Sequence, residues 1–272
     1  MGGHSVPAGA WSGPIALALR IPLPMAAARD PQAFATELVN AIVRWGIDGA
    51  PIVNPLSGEE AFRFKSAQEV AQEVRQRAED VGLDQALDEL IEDQARWNAG
   101  TGFLTSMGGF ALLSVQLPAA VTASWVIQTR LVGTIALLHG LDLNQEAVRT
   151  QILLTLIGEE AAEVLKQVGI RASQRFAEAQ LRQLPAAALG ALNRAVGFQL
   201  VSRFGRQGVL NLHLALPVLG GLVGGGIDYM MTRRLGEMAR AELGRRGRPS
   251  PSSGGWTPGS GQRQEIIDVD WR

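Results

Sequence analysis

WNAGTGFLTSMGGFALLSVQLPAAVTASWVIQT, residues Trp97–Thr129, holds 33 positions without one charged side chain. A run this long either crosses a bilayer, which takes about 20 apolar residues, or forms central helices covered on every side by neighbours. Three segments reach the length: 97–117, 119–139 and 207–227. Each is flawed as a span. The first carries Asn98, Thr101, Thr105, Ser106, Ser114 and Gln116. The second places Arg130 in mid-helix, at about 2.5–3.5 kcal/mol on the insertion scale. The third has Pro217 at its centre and a glycine cluster behind it. The mean hydropathy, +0.08, also argues against a polytopic protein. The reading favours an all-α fold, a compact multi-helix bundle of about eight to ten helices with Gly-rich apolar helices at its centre. Peripheral or partly inserted contact with a bilayer is the competing use of the same stretches.

Working outward, the flanks read as helix after helix. Asp30 before Pro31 is a start signal, a carboxylate cap with proline in the first turn. Phe34, Leu38, Val39, Ile42 and Val43 then recur at helical spacing up to Gly46. A Pro-containing loop at 51–58 follows. Ser66 and Glu69 form an S-x-x-E capping box that opens a polar, outer helix to Val81. Another helix starts near Asp84 and runs toward Trp97. Pro118 divides the uncharged run, ending one helix and entering the first turn of the next. That next helix stops at Gly140, a left-handed terminator. Asn144 is expected to cap a helix over 145–168 that closes on Gly169 and Ile170 in a Schellman pattern. Helices at 171–184, from Pro185 toward Phe204, and at 217–243 complete the body. No segment alternates with period two between turn dipeptides, so strands are not expected.

The helical domain spans 30–243. Residues 1–29 lack the basic start and unbroken apolar run of a secretory signal and are expected to form a loosely ordered arm, with an interfacial anchor through Trp11, Ile15, Leu17, Leu19 and Ile21 as the alternative. Residues 244–272 begin rich in Gly, Pro, Ser and Arg, a composition unable to bury enough apolar surface to order itself. They end in EIIDVDWR (Glu265–Arg272), an acidic and apolar motif able to dock on a protein partner. The expected location is cytoplasmic, at most peripheral to the inner membrane face, and not secreted.

Composition removes several classes of function. The 25 basic groups against 26 acidic ones lack the footprint of a nucleic-acid binder. Zero Cys excludes disulfides, thiolate metal sites and cysteine nucleophiles. Three scattered His leave little for a metal centre, and no metal or cofactor is expected. G-x-S-x-G, H-E-x-x-H, S-x-x-K and a Walker lysine are all missing from the sequence. His139, just before Gly140, reads as a last-turn residue, and His213 as a core histidine.

What remains is packing and charge. Gly220 with Gly224, and Gly221 with Gly225, satisfy G-x-x-x-G, and Gly226 extends the groove. Gly100, Gly102, Gly108 and Gly109 offer a facing groove, since bare glycines let two backbones approach. At about 1 kcal/mol of lost helix propensity each, these glycines need close packing to offset them. Arg130 in an uncharged helix needs compensation if buried, and Asp228 or Glu159 is the expected counter-ion. With Glu160 and Glu163 these form the expected buried polar cluster, or a carboxylate pair on one helix face for acid/base work. Arg233, Arg234, Arg240, Arg245, Arg246 and Arg248 favour the helix C-terminus by the dipole, or attract anionic lipid at about 1 kcal/mol per residue.

The order of AGTGFLTSMGGFALL (99–113), LPAAVTASWVIQTRLVGTIALLHGLDL (117–143), AAEVLKQVGI (161–170), AVGFQLVSRFGRQGV (195–209) and LPVLGGLVGGGIDYMMTRRLGEMA (216–239) resembles the EcsC-like family of bacterial proteins. The resemblance covers most of residues 90–241. It implies a compact α-helical domain, often described as membrane-associated, without an established reaction or catalytic residues. Two functions follow as expectations. One is a non-enzymatic helical protein at the cytoplasmic membrane face. The other is a soluble helical domain holding an apolar small molecule or lipid, with hydrolysis through Glu159, Glu160 or Asp228.

Overall fold

The computed structural model describes residues 31–53, 60–107, 113–167, 181–211 and 217–244. Its elements are α1 (Pro31–Val43), a π-helical turn (Arg44–Asp48), β1 (Ala50–Val53), β2 (Glu60–Phe64), α2 (Ala67–Val81), α3 (Leu83–Met107), α4 (Leu113–Leu138), α5 (Glu146–Ile157), a 3-10 turn (Gly158–Glu160), α6 (Ala161–Gln167), α7 (Ala186–Asn211) and α8 (Pro217–Gly244). The fold is all-α apart from one small ladder. β1 and β2 pair antiparallel, with Ala50 opposite Phe64 and Ile52 opposite Phe62. The pattern reading missed these strands because four and five residues are too few to display alternation. Ile52, Val53, Phe62 and Phe64 are nevertheless β-favouring types.

Local chemistry sets several boundaries where the sequence places them. Ser66 caps α2, its Oγ accepting from the Glu69 N–H at 3.1 Å while the Glu69 carboxylate accepts the Ser66 N–H at 2.8 Å. The Ser66 N–H bond first, and then the Ser66 Oγ–H donating to the same carboxylate at 2.9 Å, hold the Glu69 carboxyl below its ordinary range. α4 ends in a Schellman arrangement. Gly140 has φ +80°, its N–H donates to Leu137 O at 3.1 Å, and the Leu141 N–H reaches Ala136 O at 3.0 Å.

Elsewhere the boundaries move. The chain continues through Gly46 as a buried π turn and stops at Gly49, which has φ +73°. Gly46 is there for contact, because a Cβ on it would lie 2.8 Å from Thr129 Cβ and 2.9 Å from Val126 O. α3 runs on to Met107, and α4 already begins at Leu113. Pro118 thus stands just past the first turn of α4, where its missing N–H forfeits a single intrahelical bond. Asp142, not Asn144, supplies the side-chain acceptor before α5, taking the Asn144 N–H at 2.9 Å. The expected continuous helix over 145–168 is broken at Gly158, whose φ of +61° only glycine adopts cheaply. The Gly169 terminator, His213 and, up to residue 180, the helix predicted at 171–184 lie outside the described residues.

α4 is the axis of the fold. Every residue from Ala123 to Ala136 is buried, against α1, α2, α3, α5, α8 and the π turn. The main core joins Leu38 and Ile42 of α1, Leu87 and Ile91 of α3, Leu131 and Ile135 of α4, Ile152 of α5, Leu192 of α7 and Leu235 of α8. Enclosure by neighbouring helices thus accounts for the lack of charge in α4 up to Thr129, with Arg130 its one charged residue. Among the described residues no helix is long and apolar enough to cross a membrane.

Candidate functional site

α3 and α8 form the most extensive helix pair, running antiparallel, and α4 lies along both. Their shared seam is polar. Gln94 and Asn98 are one turn apart on α3, and Ser124 and Gln128 one turn apart on α4; Thr232 comes from α8. Asn98, completely buried, donates both Nδ2 hydrogens, to Ser124 Oγ at 2.8 Å and Thr232 Oγ1 at 2.7 Å. Gln128 Nε2 approaches the same two hydroxyls at 3.4 Å. These groups neither titrate nor activate a nucleophile at neutral pH. Their chemistry is registry: sliding α8 along α3 would strand an amide and two hydroxyls in a low-dielectric interior.

Arg130 lies at the far side of this seam and is 2% exposed. The expected counter-ion is not there. Neither Asp228 nor Glu159 is among its partners; Gln94 Oε1 accepts from Nη2 at 2.7 Å instead. Its Cζ lies 4.0 Å from the Phe64 ring centroid and 4.4 Å from that of Trp97. The ring centroids are 5.6 Å apart and their planes are tilted by 33°. Nε has no hydrogen-bond partner among the described residues. Burial pushes the guanidinium down to about 9, and the charge of Glu73 opposes that shift. Arg130 therefore stays charged at pH 7, held by π faces and one amide.

The expected carboxylate cluster does not form. Glu159 and Glu163 are exposed, and Glu160 is half-buried in the 3-10 turn. The break at Gly158 removes the continuous helix face on which Glu159 and Glu163 were to pair. Asp228 is different: half-buried on α8, it has no hydrogen-bond partner among the described residues, and burial pushes its carboxyl up to about 7. Among the described residues no group of three or more His, Asp or Glu could hold a metal ion.

On the solvent side of the α3–α8 pair, a groove of about 690 Å³ is lined by Asp88, Glu89, Glu92, Asp93, Arg96 and Arg233, with Ile91 and Glu237. Most of its charge is matched in place. Arg240 bridges Asp84 and Asp88, Arg77 meets Glu89 at 2.9 Å, Arg96 meets Glu92 at 2.8 Å, and Arg233 meets Glu237 at 3.1 Å. Tyr229 also donates to Glu92 at 2.7 Å. The expected arginine patch is accordingly thinner than its sequence. Arg240 is spent on α3 and Arg233 on its own helix, while Arg234 is exposed without a partner among the described residues. Arg245, Arg246 and Arg248 lie outside the described residues.

Glycines contribute differently from expectation. Gly225 is buried and Gly224 half-buried, but Gly226 is exposed, and a Cβ on it would meet nothing within 4 Å. Gly100 is half-buried on α3; Gly102, Gly220 and Gly221 lie in helices whose side-chain surroundings there are not described, and Gly108 and Gly109 fall outside the described residues. The antiparallel pair does carry the α3 glycines toward the glycine-rich end of α8, since Asp88 meets Arg240 and Asn98 meets Thr232. Two close approaches were not foreseen. A Cβ on Gly236 would lie 2.8 Å from Ile91 Cγ1, and one on Gly197 would lie 2.5 Å from Ala35 O. Thr232-x-x-x-Gly236, small residues at helical spacing, was the legible sign of the first.

The outer face of α8 is apolar. Ile227, Met230 and Met231 are 44%, 54% and 37% exposed, and one helix stripe carries all three into Arg234. His139 is half-buried as a last-turn residue should be, its ring against Gly244. Burial, then Arg240, holds its pKa below the ordinary histidine value.

No curated protein and no solved structure shows a significant match to the chain. The EcsC protein family does, over residues 49–246, the stretch that runs from the hairpin through α8. The chain belongs to the EcsC protein family.

Proposed function

We propose that this EcsC-family protein is a non-enzymatic helical body that binds reversibly to the surface of anionic membranes through the outer face of α8. The observation that carries the reading is the exposed stripe Ile227, Met230 and Met231 leading into Arg234, which is exposed and unpaired among the described residues. An interfacial helix needs this combination of apolar side chains and a flanking cation. Moving three half-exposed side chains out of water contributes about 1 kcal/mol each. Arg234, with Arg245, Arg246 and Arg248 beyond the helix, adds about 1 kcal/mol apiece near an anionic surface. Together these amount to roughly 7 kcal/mol before ordering costs, a weak and salt-sensitive attachment. No insertion of the central helices is required, since α4 is satisfied by its neighbours.

The competing hydrolase reading through Glu159, Glu160 or Asp228 loses support, because Glu159 is exposed, Glu160 is half-buried in the 3-10 turn and Asp228 stands on a different element. The test is flotation of the full chain with phosphatidylcholine vesicles, alone or containing phosphatidylserine. Binding only to the anionic vesicles, weakened by 0.5 M salt, is the expected outcome. Absence of binding to them refutes the reading.

A further inference from the structure

The stripe on α8 has a second candidate occupant within the same chain. Its exposed groups are apolar (Ile227, Met230, Met231) and cationic (Arg234). The last eight residues, EIIDVDWR, are their chemical complement: Ile266, Ile267, Val269 and Trp271 are apolar, and Glu265, Asp268 and Asp270 are acidic. In an extended strand, Glu265, Ile267, Val269 and Trp271 fall on one side and Asp268 and Asp270 on the other. Their repeat, about 6.6 Å for every second residue, is close to the roughly 6 Å between Ile227 and Met231 one helical turn apart.

Length agrees with chemistry. α8 ends at Gly244, and 20 residues, 245–264, lie between it and the motif. A Gly/Ser-rich segment of that length has a root-mean-square span of about 22–27 Å. From Gly244 back to Met230 is about 21 Å along the helix axis. A tether is most effective when its mean span matches the gap, and then presents its end at millimolar effective concentration. Contacts too weak to hold a free peptide suffice under those conditions.

We infer that residues 265–272 dock intramolecularly on the outer face of α8, with Ile267, Val269 and Trp271 against Ile227, Met230 and Met231, and Glu265, in phase with them, toward Arg234. The docked tail covers the side chains that the membrane reading uses. It therefore acts as a tethered competitor for that face, a consequence that rests on the membrane reading; the docking itself does not.

The absence of native cysteine allows a direct test without vesicles. In the full chain, Met230→Cys is combined with Val269→Cys, and exposed Glu79→Cys on α2 with Val269→Cys serves as the reference pair. Mild oxidation is expected to close the 230–269 disulfide within one chain at least ten times faster than the 79–269 pair, at a rate independent of protein concentration. Equal rates for the two pairs, or disulfide-linked dimers as the sole product, overturn the inference. Adding Glu265→Arg is expected to slow closure several-fold; an unchanged rate overturns the assigned charge pairing. Circular dichroism of each variant establishes that the helical body is intact. Failure of flotation with normal closure removes the membrane reading alone, and the reverse pattern removes the tail docking alone.

Discussion

Replacing Arg130 by Met isolates what a buried guanidinium without a counter-ion contributes. Met fills most of the volume and lies comfortably in a helix. The substitution removes one charge-assisted hydrogen bond to Gln94, worth about 1.5–3 kcal/mol, and two cation–π contacts, worth about 0.5–2 kcal/mol each. It also leaves the Gln94 carbonyl unpaired, at about 1–3 kcal/mol. Against these losses stands relief from desolvating an ion, several kcal/mol. The terms nearly cancel, so Arg130→Met is expected within about 2 kcal/mol of the parent. Arg130→Ala gains the same relief but opens a cavity between Phe64 and Trp97, and is expected to cost about 2–3 kcal/mol more. Urea denaturation followed by circular dichroism measures both. Because Asp228 does not touch Arg130, Arg130→Met with Asp228→Leu should be additive within about 0.5 kcal/mol. A coupling above about 1 kcal/mol, or a loss above 4 kcal/mol for Arg130→Met alone, would refute the reasoning and restore an ion pair.

Three further outcomes follow from the same geometry. The folded-state value for Asp228, about 7 against 3.8, means that the folded chain holds this proton more tightly than the unfolded one. That contribution is complete below about pH 4 and is lost as pH rises through about 7. Water around the half-exposed carboxyl reduces its size to about 2 kcal/mol, so Asp228→Asn should gain that much at pH 8 and almost nothing at pH 4 in urea titrations. Asn98→Leu strands Ser124 and Thr232 in the seam and should cost about 2–4 kcal/mol, which Thr232→Val in the same chain partly restores. Gly197→Ala forces a Cβ to 2.5 Å from Ala35 O and should lower the melting temperature, whereas Gly226→Ala meets open space and should raise stability by about 0.5–1 kcal/mol.

The sequence was most legible where structure is set by neighbours three or four residues away. The Ser66–Glu69 box and the Gly140 terminator are of that kind. Gly158 was misread because a lone glycine inside an apolar helical pattern ordinarily stays helical, and only the backbone dihedral reveals the break. The Arg130 site was missed for a different reason. A buried cation invites a search for an anion, but π faces and a carboxamide carry no charge that a sequence scan can match. The polar seam joins residues more than 130 positions apart, beyond the reach of any spacing rule. Its members were nevertheless in view. Asn98 counted as a flaw when residues 97–117 were weighed as a membrane span, and that polarity is what a buried helix crossing uses.

The proposed function turns on the outer face of α8. An environment-sensitive fluorophore placed on Met230→Cys reads the surroundings of that face directly, with Glu79→Cys on α2 as the reference. Phosphatidylserine-containing vesicles are expected to shift emission to the blue and raise its intensity at position 230, and to leave position 79 unchanged. Emission at position 230 that ignores those vesicles, or that changes no more than at position 79, contradicts membrane attachment through α8.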